Sequence, residues 1–201
     1  MTMDLQRALS DLAEVRGRLA RVQRFEGYSG PAAAASGVCA IAAGLVQLAR
    51  APAPQSSEAL HAYLAVWLTC AGVAVALNYG AVGAWLLKHR GPGTQSRFRS
   101  AALSIAPSIV LGGALSVALI DRGAFSLLPG TWFAFYAIGL FASRGVIPTS
   151  CDTVTAAFTA LALAFLVTPL SALALSWWVM PLGFGFGQLA IGVLLWRSRS
   201  S

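Results

Sequence analysis

Six uncharged apolar stretches, at 31–49, 59–87, 101–120, 124–143, 153–170 and 172–196, constrain this chain more than any motif in it. A bilayer core about 30 Å thick is crossed by roughly 20 apolar residues rising 1.5 Å each. Backbone groups surrounded by lipid must pair within their own segment, and runs of this length do so as helices. The alternating pattern of a membrane β-barrel is absent. Charged residues make up 10% of the 201, against about a quarter in an ordinary soluble domain. The expected fold is therefore all-α: a polytopic six-helix transmembrane bundle at 31–201, preceded at 1–30 by a cytoplasmic amphipathic helix and a turn.

The separators between the stretches fit helical hairpins. RAPAPQSSE at 50–58 supplies prolines and small polar residues, and KHRGPGTQSRFRS at 88–100 joins Gly-Pro-Gly to basic charge. DRG at 121–123 leaves room only for a tight turn, and SRGVIPTSCD at 143–152 ends in N-capping residues. No segment between the spans is long enough for a second folded domain. The first thirty residues hold five arginines and four acids without an apolar run, so no secretory signal is expected there.

Lys and Arg in short loops accumulate on the cytoplasmic side of a membrane. The arm carries Arg7, Arg16, Arg18, Arg21 and Arg24. The loop after the second span carries Lys88, Arg90, Arg97 and Arg99, and Arg144, Arg197 and Arg199 share that face. Only Arg50 and Arg122 fall on the other, so of 14 basic residues twelve favour a topology with both termini cytoplasmic. The net charge of +7 then reads as an inner face attracted to anionic lipid, with no nucleic acid implied.

In the arm, Leu5, Leu12 and Leu19 recur every seven residues, with Ala8, Val15 and Val22 between them. Residues 4–25 fit three roles: a short coiled coil between copies, an amphipathic helix in the headgroup layer, or a docking helix for a cytoplasmic partner.

Within lipid, close approach of backbones at small residues replaces the hydrophobic drive for helix association. Such stripes occur at Ser36, Ala40 and Gly44; at Gly72, Ala76, Gly80 and Ala84; at Ser104, Ser108, Gly112 and Ser116; and at Gly183 and Gly187. Gly72, Gly80, Gly112, Gly183 and Gly187 are the expected helix-packing positions. Trp132, Trp177 and Trp178 read as an outer interfacial belt, and Trp85 and Trp196 as an inner one.

Polar side chains recur at one depth. Asn78 lies ten residues before Lys88, Tyr136 eight before Arg144 and Gln188 nine before Arg197, which places all three roughly 12–15 Å above the inner boundary. Ser36, Ser108 and Thr159 reach similar depth from the other helices. Buried amides and hydroxyls require partners, so these six residues are expected to form an inner polar layer, either bonding within the bundle or lining a ligand site.

Other chemistry is missing. Asp121, Arg122, Glu58, His61, Lys88 and His89 all lie at span ends, whereas ion-coupled transporters usually keep ionisable groups within the membrane. His61 and His89 stand at opposite ends of one helix, so no haem or metal site is expected. Cys39 and Cys70 could share a depth on antiparallel helices, with no CxxC motif. Cys151, Asp152 and His89 share one face without the spacing of a nucleophilic site. Neither an enzyme nor a cofactor is expected. An inverted repeat of two three-helix halves finds only faint echoes, CAIAAGL with YAIGLFA and NYGAVGAWLLKHR with GQLAIGVLLWRSR.

LLPGTWFAFYAIGLFA and PLGFGFGQLAIGVLLW, with the basic arm before the first span, resemble segments of small six-helix bacterial membrane proteins. The resemblance implies topology and a bacterial inner membrane; it implies no reaction and carries over no functional residue. Two readings follow. One is a structural or interaction protein of the bilayer that self-associates through small-residue helix faces. The other is a small channel or transporter for a neutral solute or lipid through the inner polar layer.

Overall fold

A computed structural model of the chain describes residues 28–89, 94–145, 147–167 and 173–200; the arm at 4–25 and the turn residues Glu26 and Gly27 lie outside them. Among the described residues there is no strand. The helices are α1 (Gly30–Arg50), α2 (Ser57–Lys88), α3 (Thr94–Asp121), α4 (Leu128–Ala142), α5 (Asp152–Val167) and α6 (Phe186–Ser200), the last preceded by a π-helical turn at Pro181–Gly185. Among the described residues five segments, Gly30–Arg50, Ser57–Lys88, Ala102–Asp121, Phe125–Ala142 and Thr149–Val167, are long and apolar enough to cross a membrane.

Local chemistry sets the helix ends. The Ser29 hydroxyl accepts from Ala32 N at the start of α1, where Pro31 stands in the first turn, and Ser56 accepts from Ala59 N ahead of α2. The α3–α4 turn closes at Gly123, whose φ of 69° suits a residue without Cβ. A single 3-10 turn at Phe125–Leu127 then leads into α4, with Pro129 in its first turn.

Most spans agree with the sequence boundaries to within a few residues, but the sixth does not. Residues 173–178 form turns, and helix resumes only at Val179. Pro181 has no N–H to donate, and the backbone ahead of it is engaged elsewhere. Trp177 N donates to Pro52 O at 2.9 Å, and Gln47 Nε2 donates to Leu175 O at 2.8 Å. Within the π turn the Phe186 N–H reaches back to Pro181 O.

Side-chain pairs fix the registers, all antiparallel. Ser36 meets Asn78 and Gln47 meets Trp67, eleven residues onward in α1 for eleven back in α2. Cys39 and Cys70, on this α1–α2 pair, lie close enough to interact electrostatically. Gly30 faces Gly192 and Gly37 faces Gly185, and the same register continues to Gln47 and Leu175. The π turn and α6 therefore accompany α1 end to end. Ser108 faces Gly139 and Ser116 bonds Trp132, zipping α3 along α4. The end that holds Gly30, Lys88, Ala142 and Ser200 is called the near end below, and the end that holds Arg50 and Asp121 the far end.

The α1–α6 seam shows what the glycines are for. A Cβ on Gly37 would stand 2.7 Å from Gly185 O and 2.9 Å from Leu189 N, and one on Gly30 would stand 2.8 Å from Gly192 O. At Gly44 an added Cβ would strike the Pro181 ring. Glycines seven apart thus let one backbone lie directly on another. The opposite face of the π turn meets α4 and α5: the Phe133 ring fills the space beside Gly183, and the Phe158 ring fills that beside Gly187. Phe184 completes this aromatic core, 5.3 Å from both Phe133 and Phe158. Alternate faces of PLGFGFGQ therefore hold α1 on one side and the α4–α5 pair on the other.

Helices α2 and α3 are peripheral. α2 lies along α1 and α3 along α4, and the two form no seam with each other among the described residues.

Candidate functional site: two polar clusters

The six residues expected in an inner polar layer divide between contacts across helices and bonds within a single helix. Gln188 Nε2 on α6 donates to Tyr136 Oη on α4 at 2.7 Å. Rings enclose this pair, with Phe158 4.6 Å and Phe184 5.2 Å from Tyr136. Asn78 on α2 donates to Ser36 Oγ at 3.3 Å and to Ala74 O at 2.9 Å, and Ser36 in turn donates to Ala33 O. Ser108, buried between α3 and α4, donates to Ile105 O. Thr159 stands on the exposed side of α5 and bonds Thr155 O within its own helix. Two pairs are thus brought together, Asn78 with Ser36 and Gln188 with Tyr136, while Ser108 and Thr159 bond their own helices.

Toward the near end Tyr28 adds to this group. Its hydroxyl bonds the Ser143 side chain at the end of α4, and it lies close enough to Tyr79 and Tyr136 to interact electrostatically with both. Burial pushes the Tyr28 phenol up to about 12; the neighbouring Tyr79 adds to the shift, and the Ser143 bond opposes it. Cys151, buried at the start of α5, interacts with Tyr136 from the same side. All of these groups are neutral. Among the described residues no group of three His, Cys, Asp or Glu side chains could hold a metal ion.

A second polar cluster lies at the far end, and sequence reasoning did not single it out. Gln47 is 0% exposed although it carries an amide. Its Oε1 accepts from the Trp67 indole at 2.7 Å, while its Nε2 donates to Leu175 O and, at 3.3 Å, to Ala51 O. Tyr63, one turn before Trp67, stacks on Trp132 of α4 with ring centroids 6.4 Å apart and planes 4° from parallel. The Trp132 indole donates to Ser116 Oγ at 2.8 Å, and Ser116 donates to Gly112 O. One chain of contacts thus links α1, α2, α3, α4 and the turn at 173–178. The signal that could have revealed it is the one that marked Gln188, a lone amide in an apolar run. Trp132, expected in the outer interfacial belt, is half-buried in this cluster.

The packing glycines divide as well. Gly112 meets the Phe135 side chain 3.2 Å away, and Gly183 and Gly187 seat aromatic rings. A Cβ added at Gly72, Gly80 or Gly83 would meet no neighbouring helix within 4 Å among the described residues. Gly72, Ala76, Gly80 and Ala84 lie along the exposed side of α2, away from α1.

These features define an all-helical bundle with five helices fit to cross a membrane and two neutral hydrogen-bonded clusters, an architecture that fits a multi-pass membrane protein. Compared with known proteins, the chain matches no family, no curated protein and no solved structure.

Proposed function

We propose that this chain is a multi-pass protein of a bacterial inner membrane that serves as an interaction scaffold and self-associates through the outward face of α2. On this reading α6 with its π turn is the sixth crossing. The basic near end is cytoplasmic, as are both termini.

The observation that carries the reading is the open stripe on α2. This 32-residue helix is held along α1 by a narrow seam, with only Tyr63, Trp67 and Val82 buried. On its other side Gly72, Ala76 and Gly80 leave the backbone uncovered over two turns. Stripes of this kind are where helices approach most closely in lipid. The remaining packing glycines are already occupied inside the protomer. The paired state of Asn78, Ser36, Tyr136 and Gln188 supports this reading over a path for a neutral solute, because a path would require those groups to face one another across open space.

The test is oligomeric size in mild detergent and in nanodiscs, by light scattering corrected for bound detergent and lipid. The wild type is expected to form dimers or larger assemblies. Gly80→Ile should weaken association about tenfold, since bulk at such a stripe separates the backbones. Cysteine at Ala76 should form a disulfide between copies under mild oxidation. A chain that stays monomeric at every concentration, or a Gly80→Ile variant that associates as well as the parent, would overturn the proposal.

A further inference from the structure

The far-end cluster contains one group that the fold leaves unanswered. The Tyr63 side chain is 0% exposed, yet its hydroxyl has no hydrogen-bond partner, alone among the buried side-chain polar atoms of the described residues. Native proteins rarely leave such a group unmet, because an unpaired buried donor costs about 1–3 kcal/mol.

The surroundings say what would satisfy it. A buried water is typically held by two to four polar partners. The neighbouring polar side chains are committed to one another: Gln47 uses its amide oxygen for Trp67 and its amide nitrogen for two backbone carbonyls, and Ser116 both accepts from Trp132 and donates to Gly112 O. Two indole rings, those of Trp67 and Trp132, flank Tyr63 with centroids 6.5 Å and 6.4 Å away. A hydroxyl donor between apolar walls suits an acceptor that brings its own apolar body.

Depth narrows the choice. Tyr63 lies six residues into α2 from Ser57, or about 9 Å along its axis. In the α1–α2 register Tyr63 stands level with Ala51, so it lies at the boundary marked by Arg50, Glu58 and His61, near the ester carbonyls of glycerolipids. Access is set by the packing. The contact between Tyr63 and Trp132 is a ring stack without a hydrogen bond across it, and α2 and α3 form no seam with each other among the described residues. Rings can part there without breaking a polar contact.

We propose that Tyr63, between Trp67 and Trp132, is the anchor of a lipid site at the far end of the bundle, its hydroxyl donating to the ester carbonyl of one glycerolipid entering between α2 and α3. This rests on the membrane placement proposed above and is independent of self-association.

The experiment compares the wild type with Tyr63→Phe, which keeps the ring and removes only the hydroxyl. Each is reconstituted into vesicles of ester-linked phosphatidylglycerol or of its ether-linked analogue, which lacks the carbonyl. Flotation with the vesicles reports membrane insertion, and native mass spectrometry after detergent extraction reports the lipid retained per chain. One ester-linked lipid should remain on the wild type, with retention about tenfold lower for Tyr63→Phe. The wild type in ether-linked lipid should show the same loss, and the variant should not distinguish the two lipids. Equal retention by both proteins, equal retention of both lipids, or no retained lipid at all would overturn the proposal; the last would assign the hydroxyl to water. Failure to float would instead defeat the membrane placement itself.

Discussion

The closest backbone approach on the α1–α6 seam makes Gly37→Ala the most informative single change. The added Cβ would lie 2.7 Å from Gly185 O and 2.9 Å from Leu189 N, where an ordinary contact is 3.4 Å or more. Both obstacles are backbone, so no side chain can turn aside. The seam must open by about 0.7 Å at that turn, a gap that forfeits a quarter to a half of each dispersion contact across it. With roughly 20 atom pairs at about 0.15 kcal/mol each, the loss is near 1 kcal/mol. Strain from overpacking adds about 1–3 kcal/mol, and the better helix propensity of alanine returns about 1 kcal/mol. The net expectation is a bundle less stable by about 1–3 kcal/mol.

Gly72→Ala supplies the control, because the same methyl group there meets nothing within 4 Å. It should be neutral or stabilising by up to about 1 kcal/mol. Alanine is small enough to leave association through α2 intact. Reversible unfolding by SDS in mixed micelles, followed by far-ultraviolet circular dichroism, measures both variants against the parent. If Gly37→Ala proves as stable as Gly72→Ala, then α1 and α6 do not lie backbone on backbone, and the account of the glycine seam is wrong.

Two further outcomes follow from the polar clusters. Gln47→Leu strips the Trp67 indole and the Leu175 carbonyl of their partner, so it should cost about 1–3 kcal/mol and expose the turn at 173–178 to protease; unchanged cleavage there would show that the amide does not hold the turn. A double-mutant cycle of Tyr136→Phe and Gln188→Leu should give a coupling near 0.6 kcal/mol and no more than about 1.7 kcal/mol, as for hydrogen bonds between helices in bilayers. Additive losses would mean that the 2.7 Å contact carries no stability.

How far the site could be read in advance depends on the kind of signal. Asn78, Tyr136 and Gln188 stood out because a polar side chain in an apolar run must find a partner, and counting residues from a basic end gives its depth. The partner itself could not be read. Depth on a single helix does not say which neighbour lies across, so one expected layer became the pairs Asn78–Ser36 and Gln188–Tyr136. Gln47 carried the same signal near the end of its run, where an amide passes for a boundary residue, and its burial comes from Trp67 of α2 and from the return of 173–178.

The sequence by itself determined the class of architecture: apolar runs of about 20 residues between short charged separators are saturated only as helices, whatever surrounds them. It also determined which residues could pack closely, since only a missing side chain lets backbones touch. The tertiary structure decided where those gaps were used. Gly37 and Gly44 receive α6 and its π turn, Gly183 and Gly187 receive rings from α4 and α5, and Gly72 and Gly80 receive nothing from the described residues. The cause is geometric. A helix has more faces than neighbours, and which face turns inward is fixed by contacts distant in sequence, such as those Gln47 makes with Trp67 on α2 and with Leu175 far along the chain.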